Sequence, residues 1–165
     1  MKCVVCDTGP LIHLEEARVR NLLSHAGAIH IPQAVEAEMR RHETGWLDRR
    51  PAWLKVTNLN PHYDIEARTW QQAGLLDEGE AEAVALARQL NAHWLLTDDT
   101  AARLVGQAFG LEVHGSLGIV LWAAATHRLR RDEAESALDR LAQSSLWVSS
   151  SVLLTAKAAL GEMFP

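Results

Sequence analysis

Cysteine is scarce in this 165-residue chain, and both copies, Cys3 and Cys6, fall in its first strand-like run. Residues three apart on a strand point to opposite faces, so this pair can neither chelate one metal nor bridge easily. Both read as small buried apolar residues. No apolar run approaches the ~20 residues of a membrane span. The N-terminus also lacks the basic region and long apolar core of a secretory signal. A cytoplasmic protein without a membrane segment is the expectation. Positive charge is not in excess either: 16 Lys and Arg against 21 Asp and Glu leave a net charge of −5. That speaks against holding nucleic acid by bulk electrostatics and leaves only local basic patches such as Arg40-Arg41-His42 and Arg49-Arg50. The eight histidines form no tight ligand pair, which argues against zinc. Repeats, low-complexity tracts and linkers are missing, so residues 1–165 read as one domain, with C-terminal helices over about 132–161 packing on it.

What is present begins with MKCVVCDTGP, an apolar run that stops at Asp7. Pro10 suits a first helical turn, and leucine spacing predicts helix over 10–24. Ala28 to Ile31 reads as a strand and Gln33 to Arg41 as a helix. Residues 42–53 read as a loop with a helical turn, and 54–57 as a minor strand. Helix follows over 62–75, then Asp77 to Leu90, where Asp77 and Glu80 form a capping-box spacing. Trp94 to Thr97 is a buried strand ending at Asp98-Asp99. Helix over 100–109, a strand over 111–113 and helices over 117–127, 133–142 and 152–160 complete the chain. Asp132 and Ser149 or Ser150 are the expected caps of the last two. Short strands alternating with longer helices give an α/β domain with a central parallel sheet.

Two apolar strands thus end at carboxylates, Asp7 in one case and Asp98 and Asp99 in the other. Capping alone would explain either, but the repetition points to a site at the carboxyl edge of the sheet. On the second helix, Glu38 projects onto the face of Ala34, Val35 and Met39, whereas Glu36 projects toward solvent. A carboxylate on an apolar face is costly unless paired, which singles out Glu38. Glu80 likewise falls between Val84 and Ala87 on the core side of its helix. Two carboxylates about 4 Å apart repel by roughly 4 kcal/mol at an effective dielectric near 20, so such a cluster makes sense around a cation. Hard oxygen donors favour Mg²⁺ or Mn²⁺, and metal-assisted phosphodiester hydrolysis follows as the leading chemistry.

The segments VVCDTGPLIHL, IPQAVEAEM, LDEGEAEAVALA and LLTDDTAARLVGQAFGLEVHGSLGIVLWA, in this order up to about residue 125, resemble PIN-domain proteins. The nearest branch is that of small prokaryotic VapC-type toxins. The resemblance implies a three-layer α/β/α fold with a mainly parallel sheet of four to five short strands, and an acidic pocket that binds Mg²⁺ or Mn²⁺ and cuts RNA. By position it assigns metal binding and catalysis to Asp7, Glu38, Glu80, Asp98 and Asp99. Thr8 and Arg103 become supporting or substrate-contacting residues. Many relatives carry Asp where Glu80 stands, and the choice between Asp98 and Asp99 stays open. The same resemblance implies a small antitoxin partner and a homodimer. A catalytically silent RNA-binding or protein-interaction module is the alternative. Asp7-Thr8-Gly9 is also an aspartic-protease triplet, but those proteins are all-β and need a second triplet or a dimer. A haloacid-dehalogenase-like phosphatase needs a second Asp at position 9, which is Gly. Trp46 and Trp53, beside Arg49-Arg50, are the expected aromatic contacts for RNA or a partner.

Overall fold

The computed structural model describes residues 1–165. Five strands form one all-parallel sheet: β1 (Cys3–Cys6), β2 (Ala28–Ile31), β3 (Leu54–Val56), β4 (Trp94–Leu96) and β5 (Val113–His114), in the order β3-β2-β1-β4-β5. Nine α-helices flank it: α1 (Thr8–Glu16), α2 (Gln33–His42), α3 (Trp46–Arg49), α4 (Pro61–Gln72), α5 (Glu78–Gln89), α6 (Thr100–Ala108), α7 (Ser116–Ala125), α8 (Arg131–Gln143) and α9 (Ser150–Met163). The three-layer α/β/α architecture is the one expected. No helix is long and apolar enough to cross a membrane.

The two-residue alternation of strands splits the core into two layers. Val4, Cys6, Ile29, Ile31 and Leu96 face α1, α2, α7 and α8, while Val5 and Leu95 face α5 and α6. Both cysteines are free; Cys6 is fully buried and Cys3 only partly. The chain leaves β1 toward β2 and leaves β4 toward β5, so the strand order reverses between β1 and β4. Outside the carboxyl ends of those two strands an open crevice is the geometric result.

The helix expected over 10–24 is broken. Arg18 adopts a left-handed φ of 63° and closes α1, with Val19 N donating to Leu14 O at 2.8 Å. This is a Schellman-type stop, and a 3₁₀ helix over Arg20–His25 follows. Ser149 caps α9 as expected, accepting from Val152 N at 3.2 Å. Asp132 does not cap α8; it lies within the first turn, and Glu133 instead accepts from Arg130 N at 2.7 Å. Pro32 offers α2 no side-chain cap, and Glu82 of α5 supplies one by accepting from Ala34 N at 3.1 Å. That bond ties together the two helices carrying Glu38 and Glu80.

Two expectations fail on the same feature. Glu36 does not reach solvent; it is buried, taking hydrogen bonds from Trp46 Nε1 at 2.8 Å and Arg50 at 2.6 Å. Trp46 is only 1% exposed, so it is core and presents no surface to RNA or a partner. The cause is tertiary: the short α3 folds back over the flank of α2 that a lone helix would leave wet. Trp53 is half-buried against the same core. The tryptophan that does stand in solvent is Trp147, 85% exposed.

Candidate active site

Asp7 leaves β1 and caps α1, accepting from Thr8 N at 2.8 Å with one oxygen. Its other oxygen accepts from Thr97 Oγ1 at 2.9 Å, just past the end of β4. Thr97, fully buried, also accepts from Asp99 N at 3.1 Å and so staples the two strand ends together. Asp99 caps α6 through Ala102 N at 2.8 Å, using one oxygen and leaving the other free. From α2, Glu38 takes a 2.5 Å hydrogen bond from Thr8 Oγ1. From α5, Glu80 and Asp77 complete a reciprocal capping box, with Glu80 N donating to Asp77 at 2.8 Å and Asp77 N to Glu80 at 3.0 Å.

Asp98 is held differently. Ser116 donates to it twice, from N at 2.7 Å and from Oγ at 2.6 Å, and His13 Nδ1 lies 2.7 Å from the same carboxylate. Both of its oxygens are therefore engaged, and Asp98 anchors the start of α7 and the side of α1 to β4.

These groups line one cavity of about 330 Å³. The structure places Asp7, Thr8, Glu38, Glu80, Asp98 and Asp99 around it, together with Asp77. Arg103 lines a neighbouring hollow instead. No Lys or Arg faces the acid cavity, so no permanent positive charge offsets the carboxylates. The electrostatic consequence is visible at two of them. Burial pushes Asp7 up to about 7, with the charges of Glu38 and Asp77 adding to the shift. Burial also pushes Glu80 up to about 8, reinforced by Asp77, Asp99 and Asp7. As they stand, no three such side chains are gathered closely enough to hold an ion. The donor set is nevertheless all oxygen, which suits Mg²⁺ or Mn²⁺ and not a thiolate-seeking metal.

Sequence reasoning missed Thr97, Ser116 and His13 and read Asp77 only as a cap. The signal for Thr97 was a hydroxyl ending an otherwise apolar strand immediately before two acids. Nothing local marks His13 or Ser116; only the fold brings them to Asp98.

In a parallel α/β sheet the crevice at the reversal of strand order is where ligands bind, and in this chain carboxylates line it. The sequence profile described as PIN domain matches residues 3–162, and the chain belongs to that family, whose members are generally nucleases. No curated protein sequence matches the chain.

Proposed function

We propose that this protein is a Mg²⁺- or Mn²⁺-dependent endoribonuclease that hydrolyses RNA phosphodiester bonds at the acid cavity. One observation carries the reading: carboxylates from β1, α2, α5 and the end of β4 share a cavity without any Lys or Arg. Such a site is repulsive in the bare protein, and a divalent cation is the ligand that relieves it. A cation there supplies charge neutralisation and Lewis acidity for the phosphate and the attacking water. Asp7, fixed by Thr8 and Thr97, is the rigid donor. Glu38, Glu80 and Asp99 each keep oxygen lone pairs to offer and complete the set. Asp98, with three hydrogen bonds from Ser116 and His13, positions the cavity wall and is the weaker ligand of the strand-end pair.

The toxin-like motif run extends the proposal to a type II toxin–antitoxin role in the cytoplasm, with a small antitoxin covering the cavity and a homodimer as the assembly.

Purified protein incubated with RNA in Mn²⁺ or Mg²⁺ cleaves it, and EDTA stops the cleavage. A protein that binds RNA but leaves it intact at micromolar concentration in Mn²⁺ is a silent module instead.

A sharper consequence concerns Gly79. A Cβ there would overlap Glu38 Oε1 and approach its Cδ to 2.9 Å. The Glu38 carboxylate is the movable partner, so Gly79→Ala displaces it at little cost to the fold. Thermal stability stays within about 1 kcal/mol of wild type, helped by the better helix former. Cleavage falls about tenfold or more for want of a well-placed donor. Unchanged kcat/KM in Gly79→Ala removes Glu38 from the site.

A further inference from the structure

Beyond Asp98 lies a second hollow, of about 320 Å³. Arg103, Val113, Leu117 and Gly118 form one wall, and the Leu146–Ser149 segment forms the other. Asp98, Leu146 and Trp147 line both this hollow and the acid cavity, so the two adjoin.

Trp147 stands at that seam with 85% of its surface exposed, while Leu146 and Val148 on either side tuck inward. The segment that carries it is tethered at both ends. Ser145 donates to Glu16 of α1 through both N, at 3.0 Å, and Oγ, and Ser149 caps α9. The indole is thus displayed in place over the rim. Arg103 is the second unusual group. Its guanidinium reaches only two backbone carbonyls, of Val113 and Thr97, each at 3.5 Å. It joins none of the chain's ion pairs. An unpaired cation beside a flat aromatic and an apolar wall matches a phosphate linked to a ring.

We propose that this hollow seats one unpaired base of the RNA strand, stacked on Trp147, with an adjoining phosphate against Arg103 while the scissile phosphate lies in the acid cavity. The proposal rests on the nuclease reading and adds to it a contact outside the acid cavity, on the base next to the cut. Size favours a base over a partner helix. The hollow lies at the small end of ligand cavities, ~300–1,000 Å³. A helix with its side chains is about 10–12 Å across and does not enter.

The test pairs protein variants with altered substrates. Trp147→Ala lowers kcat/KM on a single-stranded oligoribonucleotide by about tenfold to a hundredfold, the range of one aromatic–base stack. Trp147→Tyr restores most of that loss. A substrate made abasic at the position next to the cut loses the same factor with wild type and nothing further with Trp147→Ala. Gly118→Leu gives an independent check: an added Cβ meets only His114, at 3.7 Å, and Gly118 lines the hollow that the larger side chain is meant to occupy. It reproduces the loss with Trp147 intact. In parallel, an oligonucleotide carrying 2-aminopurine at the seated position is quenched on binding Asp7→Asn protein, and the quench disappears in Asp7→Asn/Trp147→Ala. Normal kcat/KM and undiminished quenching after Trp147→Ala overturn the base seat and leave the nuclease reading standing; the indole is then a protein-contact surface. Quenching without any cleavage by wild type upholds the seat and overturns the nuclease. Neither cleavage nor quenching overturns both.

Discussion

Asp7→Asn abolishes Mn²⁺-dependent RNA cleavage, lowering kcat/KM by about a thousandfold, well past the ~10–100-fold typical of outer-shell changes at metal sites. The same substitution leaves the metal-free protein at least as stable as wild type at pH 8. Asn keeps the shape of Asp and the bond from Thr8 N, and it can donate to the Thr97 hydroxyl, which now accepts. What it removes is a buried charge. The Asp7 carboxyl sits at about 7 in the folded chain against an ordinary 3.8. Between those values the folded state holds a proton that the unfolded state has lost. The associated stability is therefore complete below about 3.8 and lost as pH rises through about 7, amounting to about 4 kcal/mol. Glu80, raised to about 8, acts in the same direction. Thermal melts in EDTA at pH 5 and pH 8 read this slope, which Asp7→Asn flattens. Mn²⁺ takes the place of the proton. At a hundred times its Kd it adds about 2.7 kcal/mol at pH 8, far less at pH 5, and nothing to Asp7→Asn. Cleavage surviving in Asp7→Asn, or a melt indifferent to Mn²⁺ at pH 8, overturns the metal assignment.

The sheet and its helices were legible because the relevant signals are local. β1 and β4 are unbroken apolar runs, and each stops at an acid that the next helix uses as its cap. The capping box at Asp77 and Glu80 is likewise a matter of three-residue spacing, and both of its bonds are present. Face arithmetic kept Glu38 out of solvent, and the fold brings it to the cavity where α2 meets α5, with Gly79 lying against its carboxylate. Most of the failures depend on a segment distant in sequence covering a surface. Trp147 reaches the rim only because Glu16 holds the loop after α8, 129 residues away. Ser116 meets Asp98 because β5 lies beside β4. Arg18 ended α1 early through a left-handed turn, and no glycine announced it.

Glu36 and Glu38 sit two residues apart on α2, and their replacement gives opposite outcomes. Glu36→Ala lowers stability by about 3 kcal/mol, within the range for breaking a buried charged network. Its carboxylate is 5% exposed and carries bonds from both Trp46 Nε1 and Arg50. Removing it leaves the indole N–H of a tryptophan that is 1% exposed without an acceptor and opens a gap beneath α3. Arg50 is about a third exposed and turns to water, which holds the loss near the lower end of that range. For a chain of this size each kcal/mol moves Tm by about 2–4 °C, so the midpoint drops by about 6–12 °C. Glu36→Gln keeps an acceptor for Trp46 and loses about 1 kcal/mol. Folded Glu36→Ala cleaves RNA as wild type does at a temperature below its transition, because Glu36 does not line the acid cavity. Glu38→Gln reverses the pattern, melting within about 1 kcal/mol of wild type while cleavage collapses. Its single bond from Thr8 survives the change, and only the negative charge offered to a cation is gone. A melt of Glu36→Ala that overlays wild type, or full activity in Glu38→Gln, means that α2 divides structure and chemistry between its two glutamates differently from this account.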